Sequence, residues 1–190
     1  MDVILNPKTT ALIVVDMQRD FCQKDGALFV GDGVDKIISN IKSLTDGAKA
    51  HGALVVYTQD WHTPDDPEFD RWAKHCVVGT KGVKIIDELY AKESEDYTVK
   101  KRRYSAFFGT DLDLYLRDQN IKTLVIAGVV TNICVLHTAG DASSLGYEIV
   151  VPEDCVMALS DYDQKYALHH ISFLFGGRII FQKELYYGTD

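Results

Sequence analysis

The stretch that decides the fold is TLVIAGVVTNIC, residues 123–134. Its first eight residues are the most strand-like run in the chain, apolar from Leu124 onward rather than alternating with polar side chains. A strand of that kind must be covered on both faces, which is the condition of a parallel sheet wrapped by helices. Thr131 and Asn132 are residue types that cap helices, and the pattern predicts a helix from about Asn132 to Leu145.

Outward from this unit the same alternation recurs. ALIVV (11–15) reads as a buried strand; behind the turn signal GDG (31–33), Val34, Ile37, Ile38, Ile41, Leu44 and Ala48 recur at helical spacing, with Gly52 as the stop. ALVVYT (53–58) is a second strand, followed by a long irregular loop, a short helix near KIIDELYA (84–91) and a strand near YTVKK (97–101). Thr110 opens a helix with a capping-box-like spacing to Asp113. EIVVP (148–152), a helix near 162–175 and RIIF (178–181) complete the series. The fold class is α/β: a single-domain, Rossmann-like three-layer sandwich over residues 1–190, with a parallel sheet of about six strands and helices on both faces. A chain of 190 residues suits one domain and can bury a sizeable core.

Composition narrows the function classes. A net charge of −8 repels phosphate backbones and argues against a nucleic-acid partner. The basic run KKRR (100–103) is a small patch in an acidic chain. No apolar run approaches the length needed to span a bilayer, and MDVILNPKTT lacks the basic and apolar regions of a signal peptide. The expected setting is therefore cytoplasmic, where Cys22, Cys76, Cys134 and Cys155 stay thiols.

In open parallel sheets, ligands bind outside the carboxyl ends of the strands. On that rim stand Asp16 after the first strand, Asp60 and His62 after the second, Lys101 at the end of the third, Cys134 past the fourth and Asp154 past the fifth. Cys134 falls in the first turn of its helix, where unsatisfied N–H groups and the dipole favour a thiolate; the bland alternative is a core cysteine. Asp16 is either a helix N-cap or a buried acid with a partner. Lys101 is either one of four surface cations or the one whose strand phase turns it to the rim. Asp60, His62 and His75 offer one carboxylate and two imidazoles, a set that suits zinc, iron or manganese and leaves coordination positions open. Asp66, Glu68 and Asp70 read as a solvated acidic face, with Glu68 an outside candidate for a further ligand. His137 reads as structural, and His169 and His170, beside Tyr166, Phe173 and Leu174, as packing.

The pieces ALIVVDMQRDF (11–21), QDWH (59–62), WAKHCVVGTKG (72–82), KRRYSAFFGTDLD (101–113) and GVVTNICV (128–135), in this order, resemble the isochorismatase-like cysteine hydrolase family, and within it the nicotinamidases and pyrazinamidases. The resemblance runs over nearly the whole chain. It implies a catalytic triad of Asp16, Lys101 and Cys134, and a divalent metal, foremost zinc with iron or manganese as alternatives, on Asp60, His62 and His75. It further implies a cis peptide between Val129 and Val130, an oxyanion hole from the backbone N–H groups of Val130 and Cys134, and Phe21 and Trp72 as walls for a flat ring. The implied activity is hydrolysis of nicotinamide to nicotinic acid and ammonia through a thioester, in NAD salvage, by a homo-oligomer acting on a small-molecule amide.

Two departures bear on the substrate. The segment TPDDPEFDR lacks the further His and Ser-Phe found in many nicotinamidases, and the cysteine is preceded by Thr-Asn-Ile rather than Thr-acid-x. The runner-up is therefore an amidohydrolase of N-carbamoyl or ureido groups. A non-catalytic binding protein ranks below both, because it has no need of Asp16, Lys101 and Cys134 together, and Cys134 argues against a true isochorismatase.

Overall fold

Hydrophobic strands separated by amphipathic helices leave few ways to cover every apolar face, and the chain takes the one expected. A computed structural model describes residues 2–89 and 96–188. In chain order the elements are β1 (Val3–Leu5), β2 (Thr10–Val15), α1 (Arg19–Cys22), α2 (Val34–Ala50), β3 (Leu54–Asp60), β4 (Tyr97–Lys101), α3 (Leu112–Asp118) and β5 (Thr123–Val129). A π-helical turn (Thr131–Val135) leads into α4 (Leu136–Ser144), followed by β6 (Glu148–Pro152), β7 (Val156–Met157), α5 (Asp161–Phe175), β8 (Arg178–Ile180) and β9 (Leu185–Tyr187).

The main sheet has seven strands in the order β4-β3-β2-β5-β6-β8, with the two-residue β7 extending the edge of β5, and every ladder is parallel. Because side chains alternate across a strand, β2 divides its apolar residues between two cores. Leu12 and Val14 join Val34, Ile37, Ile41 and Leu44 of α2 on one face. Ala11, Ile13 and Val15 join Leu112 and Leu116 of α3, Ala139 of α4 and Ile171 of α5 on the other. Each fully buried Leu, Ile or Val contributes roughly 1.5–3 kcal/mol relative to exposure, so losing the phase of one central strand would forfeit both cores.

Helix α2 ends by the device its sequence announces. Gly52 adopts φ +74°, its N–H bonds to the Lys49 carbonyl at 3.1 Å and the Ala53 N–H to the Ala48 carbonyl at 2.9 Å, a Schellman closure that returns the chain to β3. Three local expectations need correction. Thr110 stands one residue before the cap position of α3, which Asp111 takes without a side-chain cap; the Thr110 hydroxyl accepts the Leu112 N–H at 3.3 Å and donates to the Ala106 carbonyl, so it helps to start the helix without forming the box expected with Asp113. Thr131 and Asn132 do not cap the helix after β5; Val130 occupies that position, and the Thr131 hydroxyl donates to Gln164 Oε1 at 2.8 Å. The short helix near 84–91 is a single 3-10 turn, Asp87–Leu89, with residues 90 and 91 outside the described part. A second sheet, β1 paired in parallel with β9, went unforeseen because three-residue strands carry no usable periodicity.

Candidate active site

The strand order reverses direction between β2 and β5, so a crevice opens there at their carboxyl ends. Asp16 follows β2 and Cys134 follows β5. The two strands approach closely at Gly128, whose φ is +119° and where a Cβ would lie 2.1 Å from the Val15 carbonyl oxygen. Past this contact, Val129 and Val130 are joined by a cis peptide, as the resemblance implied.

Asp16 is a buried acid and not a helix cap, since Gln18 takes the capping position of α1. Its backbone N–H donates to Thr58 Oγ1 at 3.1 Å, and the same hydroxyl donates to Asp16 Oδ1 at 2.6 Å. Lys101, 1% exposed at the end of β4, fills the space between the strand ends. Its Nζ lies 2.8 Å from Asp16 Oδ2, 2.5 Å from Asp60 Oδ1, 3.1 Å from the Arg103 carbonyl and 3.6 Å from Cys134 Sγ. Residues 16, 101 and 134 thus converge on one buried cluster. Burial works to discharge Lys101, but Asp16 and Asp60 outweigh it and hold the ammonium well above its ordinary pKa. Burial raises Asp16 against the pull of Lys101, with Asp60 adding to the rise.

Cys134 departs from the expected thiolate. Burial pushes its thiol well up, Lys101 pulls the other way, and Asp16 and Asp60 add to the rise. The π-helical turn brings Sγ to the cluster, but two carboxylates and low solvation outweigh what one ammonium and a helix start supply. The resting sulfur is a thiol with a proton acceptor at hand.

Beside it, ligand atoms of Asp60, His62 and His75 lie within 4.8 Å of one another. Asp60 Oδ2 is 3.8 Å from His62 Nε2 and 3.7 Å from His75 Nε2. The opposite ring nitrogens are already engaged: His62 Nδ1 with Asp66 Oδ2 at 3.1 Å, and His75 Nδ1 with the Ala73 carbonyl at 2.7 Å. His62 Nε2 is buried with no hydrogen-bond partner. An orphaned imidazole nitrogen facing a carboxylate and a second imidazole, each ring oriented from behind, fits a divalent ion of the zinc type. Lys101 and the two histidines hold Asp60 well below the usual carboxylate range despite its burial.

The acidic-face expectation fails for two of its three residues. Asp66 and Glu68 are buried, at 2% and 3% exposure. Asp66 orients His62 and receives Arg102 Nη2 at 2.9 Å and Arg103 Nη1 at 3.2 Å. KKRR is accordingly no free basic patch: Lys100 lies over the Trp61 ring, Lys101 enters the cluster, and both arginines hold Asp66. The HTPDD spacing was the available signal for Asp66, but a run of acids reads as solvated until a fold turns it inward. Gln18 was missed altogether. Its side chain donates to the Asp60 and Val83 carbonyls and accepts from the Asp60 N–H, tying the ends of β2 and β3 together.

Phe21, Trp72, Tyr104 and Ile133 wall a cavity of about 120 Å³ that reaches Cys134, Asp60, His75 and Glu68. Trp72 is fixed by its Nε1–H donating to Tyr104 Oη at 3.1 Å. Four further residues stand apart from this site. Asp154 accepts from the Gln182 N–H, and His137 Nδ1 pairs with the Ile133 carbonyl. His169 and His170 do line up with aromatic rings on α5, but Phe173 and Leu174 are 78% and 58% exposed, so that face is not core packing.

Comparison with known proteins identifies the family. Residues 10–181 match the isochorismatase domain family. The chain is 33% identical to the ureidoacrylate amidohydrolase RutB of Agrobacterium fabrum, covering 92% of this chain and 87% of that one. Among solved structures it is similar to the nicotinamidase PncA of Bacillus subtilis, with TM-score 0.85, 35% identity and coverage of 90% and 99%. It is equally similar to the pyrazinamidase of Pyrococcus horikoshii in complex with zinc, with TM-score 0.84, 36% identity and coverage of 91% and 99%. A match over so much of the chain, on the fold just described, makes this protein a member of the isochorismatase family and a hydrolase of amide bonds.

Proposed function

We propose that the protein hydrolyses nicotinamide to nicotinate and ammonia through a thioester on Cys134, with Asp16 and Lys101 as its partners. The observation that carries this reading is Lys101 Nζ, buried between Asp16 at 2.8 Å and Cys134 at 3.6 Å, with Cys134 itself on the wall of an aromatic cavity. A thiol held protonated beside a carboxylate calls for proton transfer in step with attack: Asp16 takes the Sγ proton as sulfur adds to the carboxamide carbon. Lys101 keeps the cluster's charge balanced while the backbone N–H groups of Val130 and Cys134 receive the oxyanion, donors that contribute roughly 2.7–4 kcal/mol each. Asp16 returns the proton to the departing nitrogen, and ammonia leaves. The same carboxylate then accepts a proton from water as it attacks the thioester, releasing the acid and restoring the thiol. Phe21 and Trp72 hold the ring and keep water out. Asp60, His62 and His75 would hold a divalent ion, which would supply a Lewis acid beside the cavity.

The reaction places the protein in NAD salvage in the cytoplasm, a reading that four unpaired cysteines support. The second reading, hydrolysis of a ureido acid, is favoured by the similarity to a ureidoacrylate amidohydrolase. It requires a cation to receive the acid's carboxylate, and no Lys or Arg is among the described residues lining the cavity. Ammonia release decides between them. We expect turnover of nicotinamide and pyrazinamide in the presence of zinc, iron or manganese, and little from N-carbamoyl amino acids. The reverse ranking would establish the ureido reading, and no ammonia from either panel would remove both.

A further inference from the structure

One side-chain amide behind the cavity gathers three groups around the turn that carries Cys134. Gln164 lies near the start of α5. Its Oε1 accepts from the Thr131 hydroxyl and from the Ala158 N–H, each at 2.8 Å, and its Nε2 donates to the Val156 carbonyl at 3.3 Å. A carbonyl oxygen takes two donors, so these partners decide which end of the amide faces the turn. Thr131 is fully buried and opens the π-helical turn, whose cap position, Val130, offers no side-chain cap. The Val130 carbonyl accepts the Ile133 N–H at 3.0 Å and the Val135 N–H at 3.3 Å, so the backbone closes around Cys134. Val129, Val130, Ile133, Cys134 and Leu159, the residue after Ala158, all line the cavity. π-helical turns are rare and recur at functional sites. The first residue of this one is tied to a different helix, 33 residues further along the chain.

We propose that Gln164 is a positioning residue for the hydrolysis: through Thr131 it holds the turn on which Cys134 Sγ stands 3.6 Å from Lys101 Nζ and from which the oxyanion's N–H donors come. The proposal rests on the thioester reading above. Thr131 follows Val130 directly and precedes Cys134 by three residues, so a change in its backbone moves both donors and the sulfur together. A threonine at a helix start has a local alternative, bonding its own backbone as a cap does. Taking that alternative would tighten the π turn toward an ordinary α-helix and draw Cys134 out of place. Gln164 removes the choice by accepting the hydroxyl from across the fold. Its second acceptance, from Ala158, holds the segment leading to Leu159 at the same level. The oxyanion exists only once sulfur has attacked, so a misplaced donor costs turnover and not substrate binding.

The test is a double-mutant cycle on metal-replete protein: Gln164→Leu, Thr131→Val and the two together, assayed by ammonia release from nicotinamide and from an N-carbamoyl amino acid. Each single change is expected to lower kcat by about 10- to 100-fold, the scale of a small misplacement of catalytic groups, with KM little changed. The pair is expected to cost no more than about twofold beyond either change alone, because both break one link. Thr131→Ser, which keeps the hydroxyl, is expected to restore most of the kcat. Should Gln164→Leu fail to fold, the contrast of Thr131→Val with Thr131→Ser carries the same test. Losses that multiply, or a lower melting temperature with kcat intact, would overturn the proposal and leave the amidase reading standing. If only the N-carbamoyl amino acid is hydrolysed and the losses still fail to multiply, nicotinamide falls as the substrate and Gln164 keeps its role. No ammonia from either compound with the unmodified protein would remove both.

Discussion

The chemistry of this protein depends on side chains whose neighbours set their charge. Cys134 is the plainest case: its thiol is held protonated by burial, against Lys101 and with Asp16 and Asp60. Cys134→Ala is expected to abolish ammonia release while leaving metal content unchanged, because the ion is assigned to Asp60, His62 and His75 and not to the adjoining group of Asp16, Asp60 and Cys134. Loss of metal in that variant would show that the donor set is wrongly drawn. Asp66 acts one step further out. Its carboxylate bonds His62 Nδ1 and two arginines while buried, and so fixes which ring nitrogen faces Asp60. Asp66→Asn should weaken metal binding by about 10- to 100-fold, the range found when outer partners of ligating histidines are removed, as read by competition with a chelator. An affinity within twofold of the unmodified protein would reduce Asp66 to an arginine anchor. At this scale, residue types and order were legible for Asp16, Lys101, Cys134 and the three donors. Asp66, Glu68 and Gln18 were not, because an acid or amide in a loop looks the same in sequence whether it meets water or a buried partner.

Elements place these residues by where strands end. β2 and β5 lie side by side in register from Thr10 against Thr123 to Val15 against Gly128, so their carboxyl ends deliver Asp16 and the Cys134 turn to the same level. Gly128 is what lets them do so. Gly128→Ala combines a backbone conformation unfavourable to L-residues with a Cβ 2.1 Å from the Val15 carbonyl oxygen. The expected cost is about 2–5 kcal/mol, the sum of a left-handed penalty and overpacking, measured as a drop in denaturant midpoint. A loss below about 0.5 kcal/mol, the usual size of a surface change, would mean that the β2–β5 contact is looser than described. The central strands and α2 were legible because they are long and strongly periodic. The β1–β9 pair, β7 and the caps of α3 and α4 were not, since three-residue strands and alternative hydroxyl partners are chosen by tertiary neighbours.

For the molecule as a whole, the buried thiols and phenols make a statement about pH. Burial pushes the Cys22 thiol up to about 12, with Glu88 and Asp16 adding to it, and the Tyr187 hydroxyl, also by burial, up to about 12. The unfolded chain releases these protons near 9 and 10, so at higher pH it binds fewer protons than the native state does. Their stabilisation is therefore complete below about pH 9 and is lost as pH rises toward 12. Thermal melts should be flat in this contribution near neutrality and fall above pH 9; a melting temperature that held steady to pH 11 would contradict the burial of these groups. Sequence alone determined the class of fold, because apolar strands alternating with amphipathic helices admit few arrangements that cover both faces of a sheet. It also determined which residue types stand at strand ends, and hence the kind of chemistry. Tertiary structure alone decided which charges meet. Whether Cys134 is a thiol or a thiolate, whether Asp66 and Glu68 face water or the cavity, and which loop amide holds Asp60 all depend on desolvation and on partners distant in the chain, and neither is written in local sequence.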